Sequence, residues 1–358
     1  MASTGLNFSN LTPDNGAVQS LKQLIFLSVL ATDKLGSVFN ILPGQKHGQK
    51  VGMIGEFGML GTAGKGCNPT FNTSILAASE KEWSIKEWEI AEKICYKDLE
   101  ATLAKTALKT KTQIADLTGT EYMDDILMPR LELAVMKMLM RLAWFGDEGA
   151  SNISDGGVLT AGVDKKFFTV TDGFWKRIFA VVAKKAERKT AIAANSQTTF
   201  ALQKSKLLES GVATGILDQL IMDAPMVLRG ADNQVIYITQ SLKDALDADI
   251  KKNNKGSELQ WNAVFAGIKE TEYSGIKVMV LPFWDEIIRS CEASETAWNK
   301  PHRAIYTVQD NLMVGLESTD EVAEIDVWFN KDEQMNKILA KDKLGTIIAQ
   351  DDLIQVAY

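Results

Sequence analysis

The side chains able to perform chemistry are few and far apart. His47 and His302 are the two imidazoles of the chain. A Ser-His-Asp or Cys-His nucleophile system needs such a base within hydrogen-bond reach. His47 stands in a glycine-rich stretch and His302 follows Lys300-Pro301, and neither is near a G-x-S-x-G elbow or a cysteine-nucleophile signature. Both read as exposed loop histidines. Cys67, Cys95 and Cys291 are odd in number and lack C-x-x-C spacing, which argues against a disulfide framework and against zinc. They are expected as reduced thiols, with a Cys67–Cys95 bridge open only if two strands bring them together. Acidic residues gather at Asp124-Asp125, Asp147-Glu148, Asp247, Asp249 and Asp351-Asp352. Such groups can hold a hard cation or share acid–base work. None sits in a D-x-[DN]-x-[DN]-G loop, so helix faces and turns account for them. The sequence assigns no catalytic residue, no metal ligand and no cofactor site.

Glycine and lysine form the other patterns. Glycine recurs at every third position from Gly52 through Gly55, Gly58 and Gly61 to Gly64. A collagen strand needs proline and a longer run. A phosphate-cradling loop needs Ser or Thr after Gly-Lys, and here Gly64-Lys65 is followed by Gly66. A long hairpin with little side-chain packing remains, and such a hairpin needs a partner surface. Its return leg is expected over residues 71–90, where the alternation of Trp83, Ile85, Trp88 and Ile90 slips by one place, as at a bulge. The lysine clusters Lys184-Lys185 to Lys189 and Lys251-Lys252 to Lys255 read as solvated faces. Against a packaged nucleic acid their attraction would be non-specific and salt-sensitive.

The element that positions the rest is a long helix within residues 124–149. Leu127, Leu131, Ala134, Val135, Met138, Leu142 and Phe145 recur at helical spacing. Pro129 suits the first turn, and Gly146 supplies a stop. The candidate core of this helix is Leu131, Val135, Met138, Leu142 and Phe145. A lysine at Met138 is expected to abolish the soluble subunit, because it sets an unpaired charge on the buried stripe. Before this helix, residues 1–16 read as an extended arm and 17–35 as a short amphipathic helix. Residues 91–116 read as a helix, with a capping box for the next at Thr118-Gly-Thr-Glu121. After it, residues 167–182 begin a second core, 198–220 are helical, and 234–239 form a buried strand. Ser241 caps a helix to Ile250, with a charged loop over 251–256. Residues 276–281 form a strand broken by Pro282, and 285–291 a short helix. Residues 304–308 and 312–316 read as a hairpin around Gln309-Asp310-Asn311. The chain end is rich in strands, with Ile325, Val327 and Phe329 on one face.

With 358 residues, 46% hydrophobic and 24% charged, the chain can build one elaborate domain or two simple ones. Its net charge of −7 disfavours sequence-specific reading of duplex DNA. The first ten residues are polar and uncharged, so no signal peptide is read. The apolar run 21–35 is short and interrupted by Lys22, Asp33 and Lys34, which is unsuited to a bilayer span. A cytoplasmic origin without a membrane partner is expected.

In this layout the sequence resembles the major capsid proteins of tailed phages of the Hong Kong 97 (HK97) type. The central helix ends in Trp144-Phe-Gly-Asp147 and runs on to Gly156-Gly157-Val-Leu159, similar to that family's spine helix and its exit. The glycine-rich hairpin resembles the extended E-loop. Gln309-Asp-Asn-Leu-Met-Val-Gly315 resembles the hairpin at which the axial (A) domain returns the chain. Lys341-Asp-Lys-Leu-Gly-Thr-Ile-Ile-Ala349 through Tyr358 resembles the closing strands of the peripheral (P) domain. More loosely, residues 66–69 and 88–99 are similar to capsid proteins of phages with Bacteroidetes-type hosts. The resemblance spans nearly the whole chain as an ordered layout and rests on no single signature.

The resemblance implies an α+β, HK97-like capsid fold. Residues 1–43 would be the N-terminal arm and short helix, and 44–90 the E-loop. Residues 91–171 would be the P-domain, with its spine helix at about 124–146. Residues 172–316 would be the A-domain and 317–358 the P-domain return strands. Copies would form hexamers and pentamers, closed into an icosahedral head around double-stranded DNA. The head would be assembled in the host cytoplasm and become the virion capsid. Partners would be other copies, a portal, a scaffold, head decoration proteins and, non-specifically, the packaged DNA. Residues 1–43 are too few for a scaffolding extension, so either a protease has removed one or a separate scaffold exists, and the Met1 start favours the separate scaffold. Gly52, Gly55, Gly58, Gly61 and Lys65 would lie on a neighbouring subunit. Lys50 or Lys65 would stand where some relatives crosslink, although no motif fixes the partner asparagine. Two other readings share part of the pattern. An encapsulin-type compartment shell keeps the fold and loads a cargo enzyme rather than DNA. A cytosolic α+β enzyme with an unrecognised site predicts a small oligomer with a deep pocket.

Overall fold

The computed structural model describes residues 36–57, 76–95, 128–253, 259–265, 267–317, 325–333 and 335–358. The arm and helix expected over 1–35, the capping box at 118–121, and Gly58, Gly61, Lys65 and Cys67 lie outside the described residues.

The first half of the chain supplies strands β1 (Asn40–Leu42), β2 (Lys50–Phe57), β3 (Leu76–Glu82) and β4 (Lys86–Cys95), then helix α1 (Met128–Phe145). Helices α2 (Phe174–Lys184), α3 (Phe200–Leu207), α4 (Val212–Asp223) and α5 (Met226–Arg229) follow, with the two-residue strand β5 (Lys189–Thr190) between α2 and α3. Next come β6 (Gln234–Ile238), α6 (Gln240–Asn253), β7 (Asn262–Phe265), β8 (Ile268–Tyr273), β9 (Ile276–Val280) and α7 (Pro282–Cys291). The chain closes with β10 (Ala304–Val308), β11 (Leu312–Leu316), β12 (Ile325–Asn330), β13 (Met335–Ile348) and β14 (Ile354–Ala357).

Among the described residues these strands form three sheets. One has seven strands in the order β5-β14-β10-β6-β9-β8-β7. β6 and β9 are parallel, joined by a crossover that includes α6. Side chains alternate across a strand, and here both faces are covered. Val235 and Tyr237 face one cluster with α1, α2 and α7, while Ile236 and Ile238 face another with α4 and α6. That double burial is why residues 235–238 are apolar without interruption. The second sheet is built on the 14-residue β13, which pairs β12 along its first half, β11 along its second, and β4 from Met335 to Leu344. β1 runs parallel to β11 at the edge. The third sheet is the two-stranded hairpin β2–β3.

Several expectations are corrected. Residues 91–95 belong to β4 rather than to a helix, because Ala91 and its neighbours pair across to β13; residues 96–116 lie outside the described residues. The phase slip between Ile85 and Trp88 is not a bulge within one strand: β3 stays with β2, and β4, which starts at Lys86, joins β13. Residues 304–316 do not form a hairpin. β10 pairs β6 and β14 in one sheet, while β11 pairs β1 and β13 in the other, so Gln309–Asn311 is a corner between sheets. The aromatic run after Phe168 begins no second core. Phe168, Phe174, Trp175 and Ile178 share the cluster of α1. The helix expected over 198–220 is broken at Gly211, whose φ of 80° is left-handed. β14 leaves β13 and returns to the seven-stranded sheet.

Gly146 ends α1 for a steric reason. A Cβ there would lie 2.2 Å from the Thr171 carbonyl oxygen, and Gly173 N donates to the Gly146 carbonyl at 2.8 Å. The end of α1 and the start of α2 are thereby held in backbone contact. Trp144 lies at the centre of the core, 5.1 Å from the Phe174 ring, 5.7 Å from Tyr237 and 4.7 Å from Trp284, all edge-on. Such tilted packing adds to the area these rings bury.

Candidate functional site

The feature set apart from the core is the β2–β3 hairpin, and its base is bolted down. The chain crosses the second sheet at Trp83-Ser84-Ile85, over a facing pair of glycines, Gly315 on β11 and Gly345 on β13. A Cβ on Gly315 would lie 2.7 Å from the Trp83 ring, and one on Gly345 would lie 2.6 Å from the Ser84 carbonyl oxygen. The missing side chains are the space in which the crossing runs. Trp83 is fully buried with Ile85 and Ile347, against Leu42, Val51 and Met313. Trp83 N donates to the Gln49 carbonyl at 2.9 Å, and Gly48 N to the Trp83 carbonyl at 2.9 Å. Lys81 reaches Asp351 at 2.5 Å and the Ile348 carbonyl at 2.6 Å. A glycine inside a strand pattern signals close backbone approach, a sign present at Gly315 and Gly345 in the sequence but not used there.

Beyond that base, among the described residues β2 pairs only with β3. Gly52 faces Glu80 and is exposed, and Gly55 falls where the register shifts between Ile54 and Phe57. Lys50 pairs with Glu80 at 2.8 Å on the open surface. Its ammonium is held above the usual lysine range by the hydrogen bond and charge of Glu80, and Glu80 is held below the carboxylate range by the same pair. Exposed pairs of this kind contribute little to stability.

The helix residues separate by depth. Val135, Leu142 and Phe145 are buried, whereas Leu131 and Met138 are half-buried and packed against the same cluster. Leu139, Ala143 and Trp144 are as deep as the first three. The C-terminal half of α1 is therefore enclosed over more of its girth than a single stripe.

His302 corrects an expectation. It is buried at 2% exposure, not an exposed loop residue. Its Nδ1 meets Ser241 Oγ at 2.8 Å, its Nε2 meets the Gln203 carbonyl at 3.3 Å, and its backbone N–H donates to Asn195 Oδ1 at 3.0 Å. The carbonyl can only accept, so Nε2 carries the proton and Nδ1 accepts from the serine. Burial pushes the imidazole down to about 4. Ser241 does not cap α6; the Asp285 carboxylate does, accepting from Gln240 N at 2.6 Å and Ser241 N at 3.1 Å. The serine and histidine are thus committed to joining α3, α6 and β10. Next to them Arg303, fully buried, pairs with Glu292 and lies 4.9 Å over the Trp175 ring. Cys291 is a free thiol. Among the described residues no group of three or more His, Cys, Asp or Glu is placed to hold a metal ion, and no helix is long and apolar enough to cross a membrane.

This arrangement, an α/β sheet covered on both faces, a long helix and a tethered hairpin, matches solved structures over the whole chain. The capsid of a native GTA particle aligns with a TM-score of 0.50 at 10% identity, covering 100% of this chain and 94% of that one. The chain has a capsid-protein fold. The capsid of an empty GTA particle aligns similarly, with a TM-score of 0.51 at 11% identity over 90% of this chain and 88% of that one. No protein-family model matches this capsid-like chain. No curated protein sequence matches it either.

Proposed function

We propose that the chain is a major capsid protein of the HK97 fold, whose copies form hexamers and pentamers of an icosahedral shell around double-stranded DNA. The observation that carries this is the full-length likeness to a capsid, which leaves almost none of either chain unaligned. In this reading α1 is the spine helix, with Leu131, Val135, Met138, Leu142 and Phe145 as its core positions. The sheet of β13 is the P-domain, the seven-stranded sheet the A-domain, and β2–β3 the E-loop. Gly52, Gly55, Gly58, Gly61 and Lys65 then lie on a neighbouring subunit. A two-stranded ribbon is marginal by itself; beyond the base, a neighbour's surface supplies the sheet partner that β2 and β3 lack among the described residues. Portal, scaffold and decoration proteins complete the head, which is assembled in the host cytoplasm.

Deletion of residues 52–64 tests the reading. The shortened subunit is expected to unfold at the wild-type denaturant midpoint yet form no stable shells in sedimentation. Normal shells from this variant would remove the E-loop from the account. The DNA content of wild-type shells separates a virus head from a compartment that carries protein cargo.

A further inference from the structure

One corner of the seven-stranded sheet carries more positive charge than its surroundings neutralise. Tyr358 follows β14 and is tied to β5 by its backbone N–H to the Thr190 carbonyl at 3.2 Å. Its ring stands edge-on to Phe179 of α2, with centroids 5.0 Å apart. Lys300 Nζ sits 4.3 Å from the Phe179 centroid and 4.4 Å from the Tyr358 centroid. Lys189 Nζ sits 4.3 Å from the Tyr358 centroid. Below them the buried Arg303 lies 5.9 Å from Phe179, and Glu292 neutralises it.

The outer cations have no such partner. Asp352 serves both Lys185 and Arg188. Lys184, Lys189 and Lys300 have no carboxylate within ion-pair distance among the described residues. A ring face attracts an ammonium but carries no net charge, so the excess stays. Lys300 holds this position with φ of 46°, a left-handed value uncommon for a side-chain-bearing residue. Burial, then Arg303 and Lys189, lower its proton affinity, and the charge of Glu292 offsets part of that. An anion beside these ammoniums would oppose the effect of those charges.

We propose that this corner binds backbone phosphates of nucleic acid through Lys189 and Lys300. The cation cluster is a feature of the geometry; the choice of packaged nucleic acid as its partner rests on the capsid reading. Phosphates repeat along a strand and can meet several ammoniums in turn, whereas a single carboxylate of a neighbouring copy meets one. Each phosphate neutralised on a duplex releases counterions and steepens the fall of log K with log salt by about 0.9.

The test is fluorescence anisotropy of a mixed-sequence DNA duplex with the full chain over a salt series. Lys189→Gln with Lys300→Gln is expected to reduce the salt slope by about 1.8. Lys189→Gln alone, at an exposed residue, is expected to reduce it by about 0.9. Arginine at both positions keeps the wild-type slope. The control Lys137→Gln with Lys341→Gln has the same net charge as the double variant and alters surface lysines elsewhere, so it is expected to bind as wild type. A slope unchanged in the double glutamine variant overturns the proposal. So does a double variant that binds DNA normally but associates less with its own copies, which would make the corner a copy–copy contact. Failure of the capsid reading shows elsewhere, as absence of shells in electron micrographs, and leaves the DNA result to stand or fall separately.

Discussion

Gly315→Ala adds one methyl group at the crossing point of the hairpin. The new Cβ would lie 2.7, 2.9 and 3.1 Å from three carbons of the Trp83 ring. Carbon atoms pack best at about 3.5–4.0 Å, so the ring has to retreat by about 1 Å. It has little room to do so. Trp83 is fully buried, both its backbone polar groups are bonded to the far side of the hairpin, and Ser84 is already pressed to the site of the absent Gly345 side chain. Overpacking in such a place costs about 1–3 kcal/mol, and the blocked retreat argues for the upper half of that range. Urea unfolding of the unassembled subunit measures the loss as a lower midpoint at unchanged slope. Trp83→Leu removes the ring atoms that meet the methyl group. In a double-mutant cycle the two substitutions are therefore expected to couple by at least about 1 kcal/mol. A Gly315→Ala subunit as stable as wild type, or a cycle that sums without coupling, would refute the crossing described for Trp83.

Three further outcomes follow from the same packing. Leu142→Asp is expected to abolish the folded subunit, because it buries a charge with no partner at 1% exposure. Met138→Lys is expected to cost less than the sequence implied, since a half-buried lysine can extend its ammonium to water; equal soluble yields for the two variants would contradict the depths assigned along α1. Asp285→Ala leaves two backbone N–H groups at the start of α6 without their acceptor and is expected to lower stability by about 1–2 kcal/mol, read from thermal unfolding. Half-buried Asp342 and buried His302 give opposite pH dependence. Burial raises the Asp342 carboxyl to about 6, so its contribution to stability is full below about pH 4 and lost as pH rises through 6. Burial lowers His302 to about 4, so its contribution is full above about pH 6.5 and lost as pH falls towards 4. Asp342→Asn removes only the first, and the variant is expected to lose stability more steeply than wild type between pH 6 and 4; parallel curves would show that Asp342 is not the group titrating.

Local patterns survived into the structure where burial is uniform. Residues 235–238 and 276–280 read as strands because both their faces meet apolar neighbours, and α1 read as a helix because its C-terminal half is enclosed. Long-range pairing was illegible. The step from Val308 to Leu312 has the spacing of a hairpin, yet its two strands take partners some 70 residues back in one sheet and some 30 residues ahead in the other. Ala91 to Cys95 carries helix-compatible residues, and only the pairing with β13 makes it a strand. His302 looked exposed because lysine and proline precede it; the polar partners that bury it, Ser241, Gln203 and Asn195, come from distant parts of the sequence. The glycine-rich hairpin stood out because such a stretch cannot pack on itself, and its attachment through Gly315, Gly345 and Trp83 became visible only when β11, β13 and the β3–β4 connection met.

The central claim is self-assembly into a closed shell. The most direct measurement is electron microscopy of the purified full chain, with its sedimentation profile, in the presence and absence of a scaffold. The account predicts closed icosahedral particles. A monodisperse monomer or dimer, unchanged by concentration or by scaffold, would contradict it.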